Sequence, residues 1–506
     1  MTDRLSGSAG RRKTPDGFRD ECGVFAAVDP TGTRSDLSRL VYLGLFALQH
    51  RGQESAGIAV RQGPDLLCHK RTGLVVEAFD DHALRILQGS AAIGHVRYAT
   101  SGGGGTVNAQ PLLMKTLGGP MALANNGNLV DAEVVREQLE AEGALFRTRV
   151  DSETLLYLIA RRRILGDDLP GAIRDLMSRV HGAYSVVLLT PDAAAAFRDP
   201  LGIRPLCMGR LGDVILFASE SCAIEACGGT FERDLLPGEI VVLDAQGLHA
   251  DAARREPPLA APAPGAAPAA AHEDRKGALC AFEFVYFARP DSTLDGAGVH
   301  ASRYRAGARL AEEHPVAADV VIGAPDSGVT AGLGFADRAG LPVCAGLLKN
   351  RYVGRTFIQP TQTQRENSVN LKFSVLRRAV EGKRVVLVDD SIVRGTTMQR
   401  VIRKIRDAGA TEVHLRIASP PVRHPCYYGI DTPDYDELLA NHADLEGIRR
   451  TVGADTLGYL SQEGLADSTE GLATGLCTSC FDGSYPAGRI EPPSGRRAAC
   501  CGALPG

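Results

Sequence analysis

Two rhythms of hydrophobic and polar residues run along this chain, one on each side of an alanine- and proline-rich stretch at 252–271. On the N-terminal side, short apolar and β-branched runs predict strands at Val24 to Val28, Ser55 to Val60, Ala183 to Leu189 and Ile240 to Leu243. Helical spacing predicts helices at Leu37 to His50 and Ser152 to Arg162, so this half reads as an α+β or layered α/β domain. On the C-terminal side, strands are predicted at Ala318 to Ile322, Pro342 to Leu347, Arg384 to Asp389 and Val413 to Ala418. Helices predicted between them include Ser368 to Val380 and Thr396 to Ala408, and such alternation predicts a mostly parallel sheet with crossover helices. The stretch REPPLAAPAPGAAPAAA has no periodic apolar face and reads as a linker or extended loop between two domains.

The pattern is sharpest in VVLVDDSIVRGTT, Val385 to Thr397. A β-branched strand stops at Asp389-Asp390, a turn follows through Ser391 to Gly395, and a helix then carries Met398, Val401, Ile402, Ile405 and Ala408 on one face. That order puts two carboxylates at the carboxyl end of a parallel strand, beside a helix start whose backbone N–H groups can meet an anion. A cap alone needs one short polar residue, not two carboxylates, a glycine and two threonines. The chemistry suits a sugar phosphate carrying a metal-bound diphosphate.

Length and composition narrow the class. A chain of 506 residues is long for one hydrophobic core and predicts two or three domains. The net charge of -4 argues against a nucleic-acid partner, and no run approaches the roughly 18 apolar residues of a membrane span. The basic residues before Cys22 are not followed by an apolar core, so they do not make a secretory signal, and a cytoplasmic protein is expected. Cys207 and Cys344, isolated in apolar surroundings, read as core thiols, whereas the C-x-x-C pair Cys477 and Cys480 leaves zinc, redox exchange and iron–sulfur ligation open.

Several segments carry a family resemblance. ECGVFAAV, LQHRGQESAGI, HVRYATSG, NNGNLVD and VDSETLL, spread from Cys22 to about Asp244, together resemble glutamine amidotransferases of the N-terminal-nucleophile class. VVLVDDSIVRGTT resembles the phosphoribosyl-diphosphate signature of type I phosphoribosyltransferases, and ADVVIGAPDSG and LLKNRYVGRTFIQP resemble their diphosphate loop and flexible loop. The combination is similar to glutamine-dependent amidophosphoribosyltransferases, in particular the leader-bearing iron–sulfur subfamily. It implies an αββα four-layer sandwich followed by a type I phosphoribosyltransferase α/β fold. The division it implies is a removable leader at 1–21, an amidotransferase domain at 22–251, a linker at 252–275, a phosphoribosyltransferase domain with a metal-ligating C-terminal segment at 276–490, and a flexible tail at 491–506.

The resemblance also implies roles. Cys22, exposed by cleavage after Glu21, would be the glutaminase nucleophile, with a free α-amine to shuttle its proton, and Asn126 and Gly127 would form the oxyanion hole. Arg97 and Asp151 would bind the α-carboxylate and α-ammonium of glutamine. Asp326, Ser327, Gly328, Lys349, Arg351, Arg355, Asp389, Asp390, Ser391, Val393, Arg394, Gly395, Thr396 and Thr397 would bind phosphoribosyl diphosphate, with one Mg2+ per subunit at Ser327, Asp389 and Asp390. Tyr352 and Phe357 would help line a passage for ammonia. Cys280, Cys426, Cys477 and Cys480 would hold one [4Fe–4S] cluster per subunit, with Zn2+ as the rival; Cys500 and Cys501 fall outside the pattern.

The implied reaction is release of ammonia from glutamine and its transfer to 5-phosphoribosyl 1-diphosphate. The products are 5-phosphoribosylamine and diphosphate, at the entry to purine synthesis, in a homotetramer inhibited by purine nucleotides. Two other readings are a regulator that keeps the phosphoribosyl-diphosphate pocket without catalysis, and an amidotransferase making amino sugars or glutamate. The intact glutaminase residues argue against the first and Asp389-Asp390 against the second.

Overall fold

The computed structural model describes residues 22–98, 105–252, 277–350, 373–430, 432 and 435–488. The leader, the linker, the tail and most of LLKNRYVGRTFIQP, including Arg351, Tyr352, Arg355 and Phe357, lie outside the described residues.

The N-terminal domain is built on two antiparallel sheets. The first takes β1 (Gly23–Val28), β2 (Ser55–Gln62), β3 (Asp65–Thr72) and β4 (Ala91–Arg97). The second takes β5 (Leu112–Thr116), β6 (Gly119–Leu129), β7 (Gly182–Leu189) and β8 (Ala194–Arg198). Strands β9 (Cys207–Leu211), β10 (Val214–Ala218) and β11 (Thr230–Asp234) return to the first, and β12 (Glu239–Asp244) and β13 (Gly247–Ala252) to the second. Their orders are β11-β9-β10-β1-β4-β2-β3 and β13-β12-β8-β7-β6-β5. The period-2 alternation of β1 explains the layering. Val24, Ala26 and Val28 face the second sheet, where they meet Ala122, Ala124, Val187 and Leu189. Phe25 and Ala27 face outward onto Val41 and Leu45 of helix α1 (Leu37–Ala47). Helices α2 (Ser152–Ile164) and α3 (Leu169–Arg179) cover the second sheet through Leu155, Ile159, Ile173 and Leu176. The result is the expected αββα sandwich.

The C-terminal domain is a doubly wound parallel sheet. Helix α4 (Val299–Glu313) leads into β14 (Val320–Gly323), α5 (Gly328–Ala339), β15 (Arg384–Asp389), α6 (Thr396–Asp407), β16 (Glu412–Ile417) and β17 (Thr456–Tyr459). The four strands lie in chain order, all parallel. Val385 and Leu387 face Met398, Val401, Ile402 and Ile405 of α6, while Val386 and Val388 face Leu310, Ala331 and Phe335 of α4 and α5. Burial on both faces is why β15 reads as an unbroken apolar run.

Two expectations fail here. Pro342 to Leu347 is not a strand: only Val343 bridges to Val321, and the chain leaves the sheet at Gly346, where a Cβ would sit 2.4 Å from the Ile322 side chain. Leu347–Lys349 instead pairs antiparallel with Phe373–Val375. The described part of the helix predicted at Ser368 to Val380 is therefore strand at Phe373–Val375 and helix only at Arg377–Val380, because pairing with a distant segment overrides local preference.

Helix α4 reaches α5 through backbone contact at two glycines. A Cβ at Gly307 would lie 1.9 Å from the Ala331 carbonyl oxygen, and one at Gly334 would lie 1.9 Å from that of Tyr304. Gly334→Ala is expected to cost roughly 1–3 kcal/mol through overpacking, read as a lower urea midpoint. Gly118→Ala, whose methyl meets nothing closer than 3.6 Å, is expected to stay within about 0.5 kcal/mol.

Candidate active sites

The first site lies where the two sheets of the sandwich meet. Cys22 immediately precedes β1, whose Gly23 is paired with Val96, so the cysteine is set beside Arg97 at the end of β4. Its Sγ lies 3.7 Å from the Tyr98 carbonyl oxygen. Arg97 is buried, with Nη1 3.6 Å from Glu54 Oε2. A Cβ at Gly52 would come within 2.7 Å of the Arg97 backbone, which explains the glycine in LQHRGQESAGI.

The facing sheet supplies the other groups. Asn126 and Gly127 lie on β6, opposite Ser185 and Tyr184 of β7. Gly127 has φ 147°, and a Cβ there would fall 2.0 Å from the Ala183 carbonyl oxygen, so no larger residue fits. Asn126 Nδ2 is buried and finds no hydrogen-bond partner among the described residues. His95 Nε2 lies 3.0 Å from the Asn125 carbonyl oxygen and ties β4 to β6; burial pushes this imidazole down to about 3, which keeps it neutral. Asp151 is held at the end of β6 by a 2.8 Å bond from Leu129 N to its Oδ2. Burial pushes its carboxyl up from the ordinary value, against the bonds from Leu129 and Ser152.

The second site lies at the carboxyl ends of β14 and β15. Ser327 precedes α5, Gly395 precedes α6, and the two helix starts flank Asp389-Asp390. Gly328 permits this approach, since a Cβ there would sit 2.5 Å from the Val388 carbonyl oxygen. Gly395 has φ 81°, and a Cβ would meet Leu439 at 2.7 Å. Ser327 Oγ and Ser391 Oγ both donate to the Asp390 carboxylate, and Asp390 N donates to Asp389 Oδ1 at 2.9 Å. Burial raises the Asp390 carboxyl, opposed by those hydroxyls and by the Arg303 charge. Lys349 Nζ is paired with Asp326 Oδ2 at 2.5 Å, and Arg394 is paired with Glu437. Val393 is buried and accepts a bond from Leu439 N at 2.9 Å, so it supports the loop from beneath. Thr396 is exposed and Thr397 half-buried at the first turn of α6.

Four cysteines gather at a third place. Cys280 and Cys477 face each other in a parallel pair of short strands, and the Cys480 carbonyl accepts from Arg423 N and His424 N, which draws in the segment carrying Cys426. Phe282 and Phe481 stack beside them at 5.5 Å. Burial pushes the Cys477 thiol up to about 11 and Cys480 well above its ordinary value, with Cys280, Cys426 and Cys477 adding to the rise at Cys480. Among the described residues no group of three or more His, Cys, Asp or Glu converges tightly enough to hold a metal ion.

Sequence reasoning singled out neither Arg51, Glu220 and Glu283, which lie buried next to Cys22, nor Arg303, buried next to Asp390. The signal for Glu283 was present: a lone carboxylate in the apolar and aromatic run CAFEFVYF.

Comparison with known proteins agrees with this geometry. Residues 97–226 match the family model of the glutamine amidotransferase domain and 300–428 that of the phosphoribosyl transferase domain. The amidophosphoribosyltransferase of Bacillus subtilis is 44% identical over 475 residues, covering 93% of this chain and 95% of that protein. That of Synechococcus elongatus is 45% identical over 476 residues, covering 93% and 92%. The solved glutamine phosphoribosylpyrophosphate amidotransferase from B. subtilis, complexed with ADP and GMP, superposes with a TM-score of 0.82 over 93% of this chain and 98% of that one, at 44% identity. The chain therefore belongs to the amidophosphoribosyltransferase family, whose glutamine-dependent reaction is the first step of purine biosynthesis.

Proposed function

We propose that Cys22, made N-terminal by removal of residues 1–21, is the nucleophile of glutamine hydrolysis. Its free α-amine, which titrates near ~8, takes the thiol proton as the sulfur attacks the side-chain amide. The amide nitrogen leaves as ammonia with that proton, and water then cleaves the thioester to glutamate. Arg97 receives the α-carboxylate and Asp151 the α-ammonium, while Asn126 Nδ2 and the Gly127 N–H hold the oxyanion. The single observation that carries this reading is the buried, unpartnered Asn126 Nδ2.

Ammonia then displaces diphosphate at the anomeric carbon of phosphoribosyl diphosphate. In this proposal Asp389 and Asp390 address the ribose hydroxyls. The loop through Ser391, Val393, Arg394 and Gly395, with Thr396 and Thr397 at the start of α6, cradles the 5-phosphate. Asp326, Ser327 and Gly328 take the diphosphate, and Lys349 exchanges its partner Asp326 for the departing group, with Arg351 and Arg355 adding charge. One Mg2+ held by Ser327, Asp389 and Asp390 would neutralise charge on the diphosphate when bound. A cavity of ≈ 10 Å³, lined in part by Phe284, Arg303, Ser327 and Asp390, has room for about one water-sized molecule such as ammonia.

Cys280, Cys477 and Cys480 are buried and Cys426 half-buried, thiolates suit a cationic inorganic core, and these four cysteines would hold a [4Fe–4S] cluster as a structural clasp. Zn2+ at the same four cysteines is the rival, since four thiolates suit it as well. The B. subtilis complex with ADP and GMP supports inhibition by purine nucleotides, and the family resemblance supports a homotetramer. Among the described residues no helix is long and apolar enough to cross a bilayer.

Asn126→Ala is expected to lower glutamine-dependent turnover about 10²–10³-fold while ammonia-dependent synthesis persists. Equal loss of both activities would sink the oxyanion assignment. Asp151→Asn is expected to raise the KM for glutamine roughly 10–100-fold. Because burial raises the Asp151 carboxyl, it takes up its proton at a higher pH than an ordinary aspartate; the KM of the native enzyme should therefore climb as pH falls through that raised value, and the variant should lack this limb. Iron and sulfide analysis of anaerobically isolated protein is expected to find about four of each per chain, lost in Cys480→Ser; zinc in place of iron would refute the cluster.

A further inference from the structure

His95 is fully buried on β4, opposite Val24 of β1 and Gly57 of β2. Strand alternation turns its imidazole, like the side chains of Val24 and Ile93, into the layer between the two sheets. Arg97 lies two residues further along the same face, and Cys22 lies two residues before Val24. The imidazole therefore sits one step along the strands from the pair that would attack and bind glutamine. Its Nε2 is 3.0 Å from the carbonyl oxygen of Asn125, the residue that precedes Asn126 on β6. A carbonyl only accepts, so Nε2 carries the hydrogen, and burial keeps the ring neutral.

β6 needs this bond because one of its edges is open. Strand β5 pairs with it no further than Leu112 opposite Leu123. At Asn125 side chains take the place of a strand: the N–H donates to Gln110 Oε1 at 2.8 Å, and the carbonyl accepts from His95. Gln110 is seated there because Gly57 has no Cβ, which would lie 2.3 Å from the Gln110 carbonyl oxygen. Backbone groups alternate in direction along a strand, so Gly127, two residues on, turns its N–H to the same open edge. Asn126, between them, turns its side chain toward the first sheet, as Ala122 and Ala124 do. The His95 bond thus fixes β6 immediately before the two proposed oxyanion donors.

We propose that His95 is a positioning residue for glutamine hydrolysis: by holding the Asn125 carbonyl, it sets the gap between the sheets at which Asn126 Nδ2 and the Gly127 N–H meet the oxyanion formed at Cys22. The proposal rests on the reading of Cys22 as the nucleophile and of Asn126 and Gly127 as the oxyanion hole. His95 touches no reacting atom. Oxyanion donors act at the transition state, so a slack edge lowers kcat. Glutamine itself is held by Arg97 and Asp151 in that reading, so its KM is unchanged.

The test uses the full-length holoenzyme. His95→Leu fills a similar volume without a donor, and His95→Gln returns an amide N–H near the place of Nε2. His95→Leu is expected to lower kcat with glutamine roughly 10–100-fold, with the KM for glutamine and ammonia-dependent synthesis within about twofold. His95→Gln is expected to recover most of that loss. A γ-aldehyde analogue of glutamine gives a second readout. The Cys22 sulfur adds to its carbonyl carbon, the C=O π electrons pass to oxygen and the thiol proton follows, giving a tetrahedral hemithioacetal. Its affinity should fall in step with kcat in His95→Leu, while that of glutamate, which forms no such adduct, should not change. Adding His95→Leu to Asn126→Ala should cost less than about threefold beyond Asn126→Ala alone, since both act through one group. Unchanged glutamine turnover in His95→Leu, an equal fall of both activities, a raised KM with kcat kept, no recovery in His95→Gln, or multiplicative losses in the double variant would each overturn the proposal. Where His95→Leu does not fold, His95→Asn, whose amide is too short to reach Asn125, takes its place in every comparison. Undiminished glutamine use in Asn126→Ala would instead overturn the oxyanion reading beneath it.

Discussion

Charge placed in a protein interior has to be balanced and hydrogen-bonded, and this molecule satisfies that constraint across its domain boundary. Arg51 and Glu220 come from the sandwich and Glu283 from the other domain, and all three are fully buried. The guanidinium balances both carboxylates, helped by His50 at 2.7 Å from Glu220 and Arg204 at 3.7 Å from Glu283, and Arg51 could not be buried without them. The two domains are joined by a charge requirement rather than by an apolar seam alone. Arg198 and Asp295 repeat the arrangement nearby, with a 2.7 Å buried pair between β8 and the C-terminal half. Such joints resist sliding, because movement that separates the partners leaves uncompensated charge in a low-dielectric interior.

A rigid joint gives the chemistry its setting. Ammonia in water near neutral pH is mostly ammonium, which has no lone pair for attack, so its value to the second reaction depends on staying out of solvent. The π-helical turn Glu283–Phe287 touches both neighbourhoods: Glu283 pairs with Arg51, which donates to the Cys22 carbonyl, and the Phe284 carbonyl accepts from Arg303. The small cavity beside Asp390 borders the same turn through Phe284. The segment that carries Glu283 thus also borders the cavity beside Asp390.

Glycine governs both candidate sites for one steric reason. At Gly52, Gly127 and Gly328 a Cβ would collide with backbone atoms at 2.7, 2.0 and 2.5 Å. Side chains can rotate away from a collision but backbone cannot, so these positions set how closely strand and loop approach where substrate groups must be met. The sheets and helices supply the framework, and these contacts set its tolerances.

Much of the design was legible in the residues. The apolar run before Asp389-Asp390 predicted a strand, and Arg384–Asp389 is one, because a strand buried on both faces needs no partner-specific information beyond its own hydrophobicity. The helix face Met398, Val401, Ile402, Ile405 was readable for the same reason, its 3.6-residue period being a local property. The segments around Cys22, Arg97, Asn126 and Asp151 were likewise visible as motifs. The strand expected at Pro342 to Leu347 and the helix expected at Ser368 to Val380 failed because Leu347–Lys349 and Phe373–Val375 take their hydrogen bonds from each other, across a separation that no local pattern encodes. Arg51 and Glu283, 232 positions apart, are of that kind as well. The sequence by itself determined most of the elements and the family. Only the tertiary structure decided which charges neutralise which, because pairing of buried ions depends on proximity and dielectric, and neither is a property of sequence neighbours.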